Sequence, residues 1–155
     1  MSAVQLGSIK ETSLRGLREL DGETLATLTK NTKESLLRTV DLLSTQFRVH
    51  SWDFLSYQAI TIIICHLFSK TKALDPDETH RLKKWFWRAS FSERYKVGGE
   101  TFVSNDLPRV IDYVIKGEGK DSDFGEPPNA NEWAGISFRS NASRSRAFLL
   151  GLALK

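Results

Sequence analysis

The sequence predicts an all-α fold, a bundle of five to six helices around a buried central helix at about residues 54–70. Three observations carry that prediction. Residues 54–68 form an apolar run of 15 residues without Gly or Pro, too long for an ordinary strand. Apolar side chains elsewhere recur at helical rather than alternating spacing. Asp75-Pro76-Asp77-Glu78 is a strong helix start, with Asp75 as cap, Pro76 at the first helical position and two acids at the positive helix end.

Taken in order, Leu14, Leu17 and Leu20 allow a short helix that Gly16 weakens, and Asp21-Gly22 marks a turn. Residues 1–30 thus read as an N-terminal segment and 31–155 as a single helical domain. Asn31 with Glu34 has capping-box spacing, and Leu36, Leu37, Val40, Leu43 and Phe47 fall on one face behind it, predicting an amphipathic helix with that face inward. The 54–70 segment is apolar on nearly every side, which requires other helices around it. Behind Asp75, Leu82, Trp85, Phe86 and Ala89 form the next inward stripe, and Val97-Gly98-Gly99 ends that unit. A helix over 106–116 is expected, with Pro108 in its first turn, Val110, Ile111, Val114 and Ile115 inward and Gly117 as its stop. Residues 117–135 carry Gly, Pro-Pro and acids, the composition of an exposed loop. The last helix, 140–154, is expected to turn Phe148, Leu149, Leu152 and Ala153 to the core. Its apolar end implies a piece of a longer protein.

The 155 residues are 40% hydrophobic and 26% charged, the balance of one globular domain rather than a disordered chain. A net charge of +3 permits an acidic partner without requiring one. The single cysteine, Cys65, excludes an internal disulfide and any multi-cysteine zinc site, and a free thiol suits a reducing, cytoplasmic setting. The start of the chain has no signal-peptide core, and 54–68 is too short and too interrupted to span a membrane, so no membrane partner is expected.

Motifs for chemistry are sparse. His50, His66 and His80 have no local ligand spacing, no phosphate-loop pattern follows Gly98-Gly99, and no Gly-x-Ser-x-Gly elbow occurs. The sequence therefore assigns no catalytic residue, no metal ligand and no cofactor. The unusual stretch is 80–96, where Arg81, Lys83, Lys84, Arg88, Arg94 and Lys96 stand against Glu93 alone and interleave with Trp85, Phe86, Trp87, Phe91 and Tyr95. One reading makes Arg81, Lys84, Arg88, Arg94 and Lys96 nucleic-acid contacts, joined by Arg139, Arg144 and Arg146 near the C-terminus, with rings for stacking. The other makes Trp85 and Phe86 core, with Arg81, Lys84 and Arg88 solvated on the opposite face. Trp87 fits neither stripe and needs a second packing surface.

Lys84-Trp85-Phe86-Trp87-Arg88, Phe91-Ser92-Glu93-Arg94-Tyr95 and Ser104-Asn105-Asp106-Leu107 together resemble a signature of proteins related to GmrSD-type restriction enzymes. The order of the surrounding helices is similar over most of residues 30–155. In that family a helical region lies between an N-terminal ParB/sulfiredoxin-like domain and a C-terminal His-Asn-His nuclease domain. The family's Asp-Gly-Gln-Gln-Arg motif is missing, since Asp21-Gly22 continues as Glu23-Thr24, and so is the His-Asn-His set. The resemblance therefore implies a non-catalytic helical piece of an anti-phage or DNA-processing protein. Its partners would be the neighbouring domains, or DNA under the alternative reading, and it fixes no oligomeric state.

Overall fold

A computed structural model describes residues 15–97 and 99–154. Among these residues six α-helices follow one another: α1 (Gly22–Phe47), α2 (Gln58–Lys70), α3 (Pro76–Phe91), α4 (Gly99–Ile111), α5 (Ala130–Gly135) and α6 (Ser143–Ala153). No strand occurs among the described residues, so the all-α expectation holds. None of these helices is long and apolar enough to cross a membrane. The expectations for residues 1–14 and for Gly98 lie outside the described residues.

The helix expected from Asn31 begins nine residues earlier, so α1 runs across the 30/31 boundary. Asp21 is its cap: its carboxylate accepts the Thr24 N–H at 2.8 Å, and the Asp-Gly pair is a helix start rather than a free turn. The buried face of α1 is also rotated from the expected one. Ser35, Thr39, Leu43 and Phe47 face inward, while Leu36, Leu37 and Val40 are exposed. Ser35 and Thr39 can be buried because their hydroxyls donate to the carbonyls of Asn31 and Ser35, leaving no polar group unpaired. Small side chains there let α1 lie close against α2, its main neighbour.

The central helix is confirmed but shorter than 54–70. Ser51 opens a 3-10 turn over Trp52–Phe54, the chain stays extended to Tyr57, and α2 then buries Ile60, Ile63, Ile64, Leu67 and Phe68. α2 packs on α1 and α4, and α3 packs on α6 and on the segment after α4. At α3 the sequence reading holds closely: Asp75 and Glu78 form the capping box, Pro76 opens the helix, and Leu82, Trp85, Phe86 and Ala89 are fully buried.

The helix expected at 106–116 starts at Gly99 instead, which places Pro108 in its interior. Starting there lets Val103 join Asp106, Leu107 and Val110 on the buried face. A π-helical turn, Asp112–Lys116, continues it to Gly117, which ends it in the left-handed conformation at φ 72°. The stretch 117–135 is not only loop. A 3-10 turn, Asp121–Phe124, buries Phe124 against Tyr113, and α5 is opened by an Asn129–Glu132 capping box. Finally, α6 turns Ser145, Ala147 and Leu150 inward, not the expected Phe148 and Leu152, which are 43% and 51% exposed. Short side chains on its inner face allow α6 to approach α3.

Candidate functional site: the basic-aromatic helix and an apolar groove

Trp85 and Phe86 lie in the core, and Phe47 stacks on Phe86 at 4.0 Å between ring centres. Trp87 has the second surface its position required. It stacks on Phe91 at 5.6 Å, Phe91 meets Trp133 of α5 at 5.4 Å, and Trp133 meets Phe148 of α6 at 6.0 Å. A row of rings thus runs from the core to the outer face of α6.

Five of the six cations of 80–96 bond within the fold. Arg81 donates Nε to the Val114 carbonyl at 2.8 Å. Arg88 donates Nη1 to the Gly125 carbonyl at 3.0 Å and pairs with Glu126, while Lys84 pairs with Asp121 at 3.3 Å. Arg81 and Arg88 are consequently half-buried, not solvated as the packing reading expected. Asp121 also accepts the Tyr113 hydroxyl at 2.6 Å, and this bond, followed by Lys84, holds its carboxyl below the usual value. The acidic strap 117–126 therefore covers the basic side of α3. Gly125 is required in it: at φ 99°, a Cβ there would overlap Ser92 Oγ.

Beyond α3 the chain turns at Glu93, a left-handed residue at φ 57°. That turn brings Arg94 and Tyr95 onto α4. Arg94 grips Asp106 with two hydrogen bonds, Nε to Oδ2 at 2.5 Å and Nη2 to Oδ1 at 2.8 Å, and the Tyr95 hydroxyl donates to Oδ2 at 2.7 Å. Asp106 has no solvent exposure. The bidentate pair and third donor satisfy a carboxylate that could not otherwise be buried charged. Hydrogen bonding to Asp106 raises the Arg94 pKa, and burial drives the Tyr95 hydroxyl well above its ordinary value. Glu93 itself receives Lys96 at 3.2 Å and Arg144 at 3.7 Å, and Arg144 also donates Nε to the Phe91 carbonyl.

The sequence reading gave Asp106 no role, although Val103, Asp106, Leu107 and Val110 have helical spacing and so put one acid on an apolar face. Of the eight cations proposed as nucleic-acid contacts, Arg81, Lys84, Arg88, Arg94, Lys96 and Arg144 thus carry internal bonds. Arg146 reaches the Ser140 carbonyl only at 3.5 Å, and the Arg139 guanidinium has no partner among the described residues. His66 is buried, whereas His50 and His80 are exposed. No cluster of three or more metal-ligating side chains occurs among the described residues.

Where the ring row surfaces, an open groove of about 440 Å³ lies between α5 and α6, lined by Trp133, Ala134, Ile136, Phe138, Ser145 and Phe148. Phe138 is 59% exposed, and Leu152 continues the Phe148 face one turn further along α6. The fold and this site define an all-helical domain whose charged signature braces its own interior and whose outer apolar side chains remain uncovered. No family model matches the chain, and no curated protein or solved structure matches it.

Proposed function

We propose that this chain is a non-catalytic helical domain of a cytoplasmic, GmrSD-like DNA-processing protein, and that it holds the neighbouring catalytic domains in place. The observation that supports this reading is the division of labour around α3. Its Arg81, Lys84 and Arg88 bond to backbone carbonyls and carboxylates of the same chain, while its aromatic row leads outward to an apolar groove. Contiguous exposed apolar surface rimmed by polar residues is the usual mark of a protein-contact site. Arg81, Arg88 and Arg94, tied to acceptors of the fold, have less to offer a phosphate backbone, which favours the groove over the basic helix as the working surface.

The test mixes the chain with separately purified ParB/sulfiredoxin-like and nuclease domains of such a protein in a calorimeter. Saturable binding to one of them is expected, lost in the Phe138→Asp, Phe148→Asp double variant while its circular dichroism stays unchanged. Absence of binding to both domains, or binding that the double variant retains, contradicts the reading.

A further inference from the structure

The groove between α5 and α6 is lined by apolar side chains and Ser145, and the unpaired charge beside it is positive. Arg139 follows Phe138 directly, and its backbone N–H donates to Ser145 Oγ at 3.1 Å, which seats it beside the first turn of α6. Its guanidinium is exposed and without a partner among the described residues. Arg146, about 200° round α6 from Phe148, turns away from the groove and reaches the Ser140 carbonyl at 3.5 Å. The first turn of α6 contains no acid, and Ala142 supplies no side-chain cap, so its free N–H groups add to the positive potential. The acids nearby are engaged. Glu132 closes the capping box on Asn129 and faces the positive end of α5, and Glu126 pairs with Arg88.

We infer that the groove binds an amphipathic segment of a protein partner whose apolar side chains enter between Trp133, Phe138 and Phe148 and whose acidic flank meets Arg139. The inference rests on the docking reading above and adds the chemistry of the partner. A volume of about 440 Å³ is enough for a few apolar anchors, within the roughly 300–1,000 Å³ of ordinary binding clefts. Anchors set at one face of a helix and inserted in a hydrophobic groove are a recurrent recognition mode. Charges at the rim choose between partners and speed their encounter more than they tighten the contact.

The experiment uses the whole chain and two synthetic helical peptides with the same leucines at i, i+3, i+4 and i+7, one flanked by Glu and the other by Lys. Binding is followed by calorimetry, with thermal unfolding of each variant as the folding control. The Glu-flanked peptide is expected to bind at least about tenfold more tightly than the Lys-flanked one at low salt. Arg139→Glu, at an exposed position beside the groove and away from the core, should reverse that preference. Phe148→Asp should remove both complexes.

Equal affinity for the two peptides, both lost in Phe148→Asp, overturns the charge assignment while leaving groove docking intact. Binding of neither peptide overturns the inference. So does displacement of the bound peptide by duplex DNA, or self-association of the chain that Phe148→Asp abolishes.

Discussion

The segment 80–96 and the stretch from Phe138 to Leu152 both combine aromatic and basic residues, yet the fold treats them oppositely. In the first, Trp85 and Phe86 are buried and Arg81, Arg88 and Arg94 end on acceptors of the same chain. In the second, Phe148 and Leu152 face outward and Arg139 is free among the described residues. Composition alone does not separate these cases. What does is the supply of acceptors: the strap 117–126 and Asp106 stand against α3 and its following turn, whereas the Arg139 guanidinium meets no carboxylate among the described residues.

The largest effect that would break this contrast concerns Asp106. Asp106→Ala leaves the Arg94 guanidinium, 10% exposed, without its counterion, and should cost about 3–5 kcal/mol in urea unfolding. A loss below about 1 kcal/mol would mean that Arg94 finds other solvation and that the latch does not hold the turn to α4. Next is Gly125→Ala. A left-handed backbone and overlap with Ser92 should together destabilise the chain by about 1–3 kcal/mol and loosen the strap over α3. An unchanged melting temperature would show that the strap is not seated on α3.

Arg81→Ala and Arg88→Ala sharpen the comparison at smaller magnitude. Treated as solvated cations, each would cost less than about 0.5 kcal/mol. Since each donates to a part-buried backbone carbonyl, the expected loss is about 1 kcal/mol apiece. Arg139→Ala, with no such bond, should stay within about 0.5 kcal/mol in the same titration.

The smallest effect is acid sensitivity at the strap. Asp121 has a folded pKa below its ordinary 3.8, so its stabilisation is complete above that value and fades as pH falls through the lowered one. Asp121→Asn should therefore flatten the pH dependence of stability below about pH 4 and leave the slope near neutrality unchanged. A slope that stays the same at low pH would show that Asp121 gains nothing from Tyr113 and Lys84.

Much of the architecture was legible from local signals. The Asp75–Glu78 box, the length of the 54–68 run and Gly117 as a stop each mark a single structural choice, and those elements formed. Faces were harder to read. On α1 the eye follows Leu36, Leu37 and Val40, but Ser35 and Thr39 are buried because i−4 carbonyls absorb their hydroxyls. On α6 the bulky Phe148 and Leu152 look inward by composition, and the small Ser145 and Ala147 occupy the inside because α3 lies close. The groove was not legible at all, since it joins residues of α5, α6 and the chain between them. Asp106 was within reach, because its spacing with Val103, Leu107 and Val110 already placed it among apolar neighbours.

One comparison tests most directly that 80–96 builds the interior while α6 presents the working surface: the unfolding free energies of Trp85→Ala and Phe148→Asp in a common urea titration. Trp85 has no exposed surface and Phe148 is 43% exposed. The expected losses are about 3–5 kcal/mol for the first, through the cavity it leaves, and less than about 1 kcal/mol for the second. Equal losses, or a larger loss at Phe148, would contradict the account.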